Sequence, residues 1–146
     1  MVNDDSASGA EPDLGALLGR LIPHLITLEE PILRAAGLSM WEYAIVSEIA
    51  ATPAVSQREL SERTGRDPTR LGKHLDELQQ RGLVSRDRSG RRRQWTVSTT
   101  PEGRSLHDGV RAEIRAVEDE LLRGAMSDGQ AATFRRLLKS LVAEIS

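Results

Sequence analysis

The stretch SQRELSERTGRDPTRLGKHLDELQQRGLVSRDRSGRRRQWTV, running from Ser56 to Val97, decides the fold. Ser56 followed by Glu59 has capping-box spacing and opens a predicted helix over about 57–63, with Leu60 turned inward. Thr64-Gly65-Arg66 leaves room only for a tight connection. Asp67 then suits an N-cap, and Pro68 takes the first helical position, where a missing N–H costs nothing. The spacing predicts a second helix to about Arg81, with Leu71, Leu75 and Leu78 as its core stripe and Gly82 closing it. Leu83–Arg88 and Arg92–Ser98 read as strands flanking Ser89-Gly90-Arg91, a glycine-bearing hairpin signal. Helix, turn, helix and basic hairpin in immediate succession are the order of a winged helix-turn-helix.

The charge distribution agrees. The whole chain carries a formal charge of −2. Between Ser56 and Arg93, however, eleven basic side chains face six acidic ones. A locally basic module on an acidic body is what phosphate binding needs, whatever the overall balance. A major groove admits one helix, which must hold the core with one face and meet base edges with the other. Opposite the leucine stripe stand Thr69, Arg70, Lys73 and His74, near the end where the helix dipole is positive. Arg66 in the preceding turn joins these candidate DNA contacts, as do Arg88, Arg91, Arg92 and Arg93 around the hairpin tip. A solvated charged turn is the bland alternative for the hairpin. Six charges in the eight residues 86–93, five of them arginine, weigh against it.

Outward from this segment the chain reads as helical. Leu14, Leu17, Leu18, Leu21, Leu25, Leu28 and Ile32 give one apolar helix face over 13–36, with Pro23 and Pro31 expected to kink or break it and Gly37 to end it. Ser39 and Glu42 open a helix over 40–51 with Trp41, Ala44, Ile45 and Ile49 inward, stopped by Pro53. Thr100-Pro101 starts a long helix over 101–124, striped by Leu106, Val110, Ile114, Val117 and Leu121. Ser127 with Gln130 starts the last, over 128–145, with Phe134, Leu137, Leu138, Leu141 and Ile145 on one side. The fold class is therefore mainly α: a winged helix-turn-helix over about 39–99 with a two- to three-stranded β wing, inside a single domain over 13–146. Residues 1–12 read as an acidic, disordered leader.

Several function classes fall away. The chain has no cysteine, which removes disulfides and thiolate metal sites. His24, His74 and His107 form no ligand-spaced pair, and no phosphate-binding or nucleophile motif is present. No enzyme, metal or cofactor is expected. With neither a secretory signal nor an apolar run of membrane length, a cytoplasmic location is expected. A winged-helix module that binds protein instead of DNA is the alternative, but it would not need Arg91, Arg92 and Arg93 clustered at a tip.

Leu38-Ser39-Met40-Trp41-Glu42-Tyr43, Ser56-Gln57-Arg58-Glu59-Leu60-Ser61, Leu78-Gln79-Gln80-Arg81-Gly82-Leu83-Val84 and Arg91-Arg92-Arg93 leading to Thr99-Thr100-Pro101-Glu102-Gly103 together resemble the MarR family of multiple antibiotic resistance regulators. The likeness spans about residues 14–145. It implies a homodimer whose N- and C-terminal helices (13–36 and 101–145) interlock, with Leu14, Leu17, Leu21, Leu121, Phe134, Leu138, Leu141 and Ile145 at the seam. It also implies a pseudo-palindromic double-stranded operator, repression, and release by a small phenolic or anionic effector. Carried over by position, Pro68, Thr69, Arg70 and Lys73 would face the major groove, and Ser56 and Gln57 would meet phosphate. Arg93 takes the place of the family's wing arginine, while Arg91 stands where the family has an aspartate. Trp41 and Tyr43, with His24, lie near the place where family members hold their effector.

Overall fold

A computed structural model describes residues 9–88 and 94–146. Six helices and one small sheet follow in the order the sequence predicts. Helix α1 (Leu14–Ala35) starts on Asp13, whose carboxylate accepts the Ala16 N–H at 2.7 Å. It runs unbroken through Pro23 and Pro31, against the expected break. Each proline removes one N–H from the ladder, while Leu33, buried against the body, holds the helix from one side. Gly37, at φ 70°, ends it as expected.

Helix α2 (Met40–Ala51) has the full capping box, with Ser39 and Glu42 each accepting the other's backbone N–H. Its inward face differs from the expected one. Ile45, Val46 and Ile49 are buried, whereas Trp41 and Ala44 are exposed. This helix is apolar almost all round, so periodicity alone does not select the side that turns inward.

Strand β1 (Val55–Ser56) leads into α3 (Gln57–Thr64), and Gly65 at φ 67° makes the left-handed step to α4 (Pro68–Gln80). Strands β2 (Val84–Asp87) and β3 (Thr96–Thr99) form the wing. The sheet order is β1-β3-β2, antiparallel throughout, with Val97 opposite both Val55 and Arg86. The third strand, β1, arises where the helix cap at Ser56 pairs with Thr96. The second hairpin strand starts later than expected, at Thr96; Arg92 and Arg93 lie outside the described residues.

One core joins these pieces. Leu60, Leu71, Leu75 and Leu78 are fully buried with Ile45, Ile49, Val55, Val84 and Val97. Each such side chain contributes about 1.5–3 kcal/mol by leaving water. Helices α5 (Pro101–Arg123) and α6 (Asp128–Ile145) complete the chain. Val110 and Ile114 bury α5 against the body, but no residue of α6 is buried. Leu137, Leu138, Leu141, Val142 and Ile145 stand in water, as do Leu14, Leu17 and Ile22 of α1. Among the described residues no helix is long and apolar enough to cross a membrane.

Candidate functional site

The two faces of α4 are cleanly divided. Leu71, Leu75 and Leu78 are buried, and Pro68, Thr69, Arg70 and Lys73 are exposed. Asp67 caps the helix by accepting the Arg70 N–H at 3.0 Å, and its carboxylate pairs with the Arg70 side chain at 3.4 Å. The N-terminal turn of α4 therefore shows water a cation, a hydroxyl and a proline ring, all on elements fixed by the core.

At the start of α3 the Ser56 hydroxyl accepts the Glu59 N–H at 3.0 Å, so it serves as a helix cap. The Gln57 N–H donates to the Trp95 carbonyl at 2.9 Å, tying this helix to the wing. Arg66 and His74 are half-buried and touch each other, with Arg66 Nη2 3.3 Å from His74 Nε2. Arg88 follows β2 with its guanidinium 5.3 Å from the Trp95 ring centre. Arg91, Arg92 and Arg93 lie outside the described residues.

Arg86 is a connection that periodicity does not reveal. Its guanidinium hydrogen-bonds Gln79 at 2.8 Å and pairs with Asp76, both on α4. It also faces Trp95 at 5.9 Å. Trp95 is thus exposed and flanked by wing arginines, where packing onto the body would have buried it. The contact joins residues of a helix and a strand, and no spacing rule within either element signals it.

Behind this lobe, α2 and α5 flank a half-open cavity of about 320 Å³. Tyr43, Ser47, Arg104, His107 and Arg111 line it. Tyr43 and His107 stack at 5.7 Å and 20°. His107 is buried, with Ser47 Oγ 3.1 Å from its Nε2 and Asp108 3.2 Å from its Nδ1. Burial pushes the Tyr43 phenol up, opposed by a Ser47 hydrogen bond and by Arg111. Of the three residues expected at an effector site, Tyr43 lines this cavity. Trp41 lies instead against Arg66, and His24 is exposed on α1. His107, missed in the sequence, sits beside Leu106 on the inner stripe of α5 and carries no motif.

Residues 36–94 match the family profile described as MarR family. No curated protein matches the chain. Solved structures do. A MarR-family transcriptional regulator from Rhodococcus sp. RHA1 aligns with a TM-score of 0.78 at 28% identity, over 88% of this chain and 91% of that one. The matched segment and the shared fold make the chain similar to MarR-family regulators. CouR from Rhodococcus jostii RHA1, bound to p-coumaroyl-CoA, aligns at 0.74 and 28% over the same shares. A Mycobacterium tuberculosis MarR family protein in complex with DNA aligns at 0.75 and 25%, over 90% and 98%. MarR-family regulators are transcription factors without enzymatic activity.

A half-buried ionic knot lies where α1, α5 and α6 meet. Arg135 bridges Glu118 at 3.2 Å and Asp119 at 2.8 Å. Glu29 of α1 faces Glu118, and burial, with that neighbour's hydrogen bond and charge, raises its carboxyl from 4.5 to about 7. Between those two values the folded state holds a proton that the unfolded chain has released. Stability should therefore fall as pH rises through that window, by about 1 kcal/mol once the partial exposure of Glu29 is discounted. Glu29→Gln should flatten this slope in urea titrations run across the window; an unchanged slope would assign it to another group.

Proposed function

We propose that this protein is a cytoplasmic, homodimeric repressor of the MarR family that binds a pseudo-palindromic DNA operator and releases it when a small aromatic or anionic effector binds. The observation that carries the reading is the divided α4 helix. Its buried leucine face locks it to the core, and Pro68, Thr69, Arg70 and Lys73 stand exposed at its dipole-positive end. That helix is the base reader. The wing supplies backbone or minor-groove grip through Arg88 and the Arg91, Arg92, Arg93 run. Support for a DNA partner comes from the Mycobacterium tuberculosis relative that was solved with DNA.

The exposed leucines of α1 and α6 support the homodimer, since a lone chain would leave them in water. Two-fold pairing would set two α4 helices about 34 Å apart, one turn of duplex. The cavity that Tyr43 and His107 line, with Arg104 and Arg111 outnumbering Asp108 at its edge, suits an aromatic anion. Relatives were solved with p-coumaroyl-CoA and with p-aminosalicylic acid. An effector acts by its differential affinity for the two spacings of the dimer.

The test is a titration of a duplex selected by the wild-type protein from a randomised pool, repeated over a range of salt. Replacing Arg91, Arg92 and Arg93 by alanine should lower affinity for every sequence and reduce the salt slope by about two to three. Full affinity in the triple variant would remove the wing from the interface.

A further inference from the structure

Arg66 stands in the turn between α3 and α4, where the sequence counts it among the DNA contacts. Its surroundings are those of a strut. The guanidinium lies over the Trp41 ring, 4.2 Å from its centre. Nη2 is 3.3 Å from His74 Nε2. Nε is buried with no hydrogen-bond partner. A guanidinium can only donate, so in this contact His74 Nε2 is the accepting atom. The backbone is fastened too. The Ser61 hydroxyl donates to the Arg66 carbonyl at 2.6 Å, and Thr64 Oγ1 accepts the Arg66 N–H at 3.4 Å.

Trp41 belongs to α2 and His74 to α4. One guanidinium thus joins three parts of the lobe: the first helix of the core, the turn, and the helix proposed to read bases. Half-buried and held on two sides, it would have to leave both partners to reach a phosphate. Lys73, one residue before His74, is exposed on the same helix. We propose that Arg66 is a positioning residue: through Trp41 and His74 it sets the rotation of α4 relative to α2, and it does not touch DNA. The strut also explains why a cation occupies a turn that polar but uncharged residues would complete at lower desolvation cost.

This inference rests on the DNA-binding reading above, and the experiment separates the two. The probe is the duplex selected by wild-type protein, with a mixed-sequence duplex as competitor. Arg66→Met keeps the stem and removes the charge. It should weaken the selected duplex about tenfold and narrow its margin over mixed sequence, while the salt slope stays at the wild-type value. Lys73→Ala should instead lower that slope by about one. His74→Leu should copy Arg66→Met, and His74→Gln, which keeps an acceptor, should restore the margin; these two variants serve if Arg66→Met does not fold. A fall of about one in the salt slope for Arg66→Met, or an unchanged margin, overturns the proposal. Failure of the wild-type protein to bind any duplex strikes the DNA-binding reading itself. The strut is then judged without DNA, in a Trp95→Phe background where Trp41 is the remaining indole. Its emission should change with Arg66→Met, and an unchanged emission overturns the strut as well.

Discussion

Replacing Gly103 with alanine should cost about 3 kcal/mol, a large fraction of the stability a domain of this size has. Gly103 lies in the first turn of α5, pressed against the backbone of Leu83. A Cβ there would come within 1.9 Å of the Leu83 carbonyl oxygen and 2.8 Å of its carbonyl carbon. No rotamer relieves a clash between two backbones. Leu83 is not free to retreat, because its carbonyl accepts the Thr100 N–H at 3.1 Å and Thr100 Oγ1 donates to Gly82 at 2.6 Å. Helix α5 would have to lift, taking Val110 and Ile114 out of the core. Gly109→Ala, six residues along the same helix and with open space at its Cβ, is the control. It should be neutral or stabilising by up to about 1 kcal/mol. Denaturant titration of both decides the matter. Equal stabilities would mean that the α5–Leu83 contact is not as close as described.

The double variant Leu141→Asp, Ile145→Asp should turn the protein into a folded monomer and weaken operator binding by about a hundredfold or more. Both side chains are exposed in the single chain, at 49% and 81%, so the protomer fold loses little. A symmetric seam would lose much more, since it would bury four unpaired carboxylates. Binding would then rest on one half-site, without the gain that linking two half-sites supplies. Sedimentation gives the mass and circular dichroism the helix content. A dimer that survives the change would move the seam away from the end of α6. A monomer with full operator affinity would sink the two-half-site reading.

Much of the fold was legible because caps and stripes are local. Asp67, Ser39, Ser127 and Thr100 mark their helix starts by residue type, and each is a cap in the structure. Leu71, Leu75 and Leu78 name their own face because polar residues separate them. Helix α2 shows the limit of the method. Where apolar side chains surround the axis, the neighbours decide the inward side, so Trp41 and Ala44 turn outward. In α1 the helix stays continuous through Pro23 and Pro31, at the cost of one lost hydrogen bond each. At the candidate site, exposure of Pro68, Thr69, Arg70 and Lys73 followed from the stripe. The grouping of Trp41, Arg66 and His74 did not, nor did that of Tyr43 and His107. Trp41 stands 25 positions before Arg66 and 33 before His74, and Tyr43 stands 64 before His107, so only the packed core brings them together.

The bond network of Arg86 has one more implication. By gripping Asp76 and Gln79, it makes the strand that leads to the wing and the reading helix into parts of one stiff body. Such a body works as a gauge with two fixed prongs. The stretch of duplex that each protomer spans is then constant, and bending or closing the lobe cannot adjust it. In the proposed dimer, what an effector would alter is the separation between the two gauges. Operators for this protein should therefore tolerate the insertion of a single base pair within a half-site less well than the same insertion between half-sites.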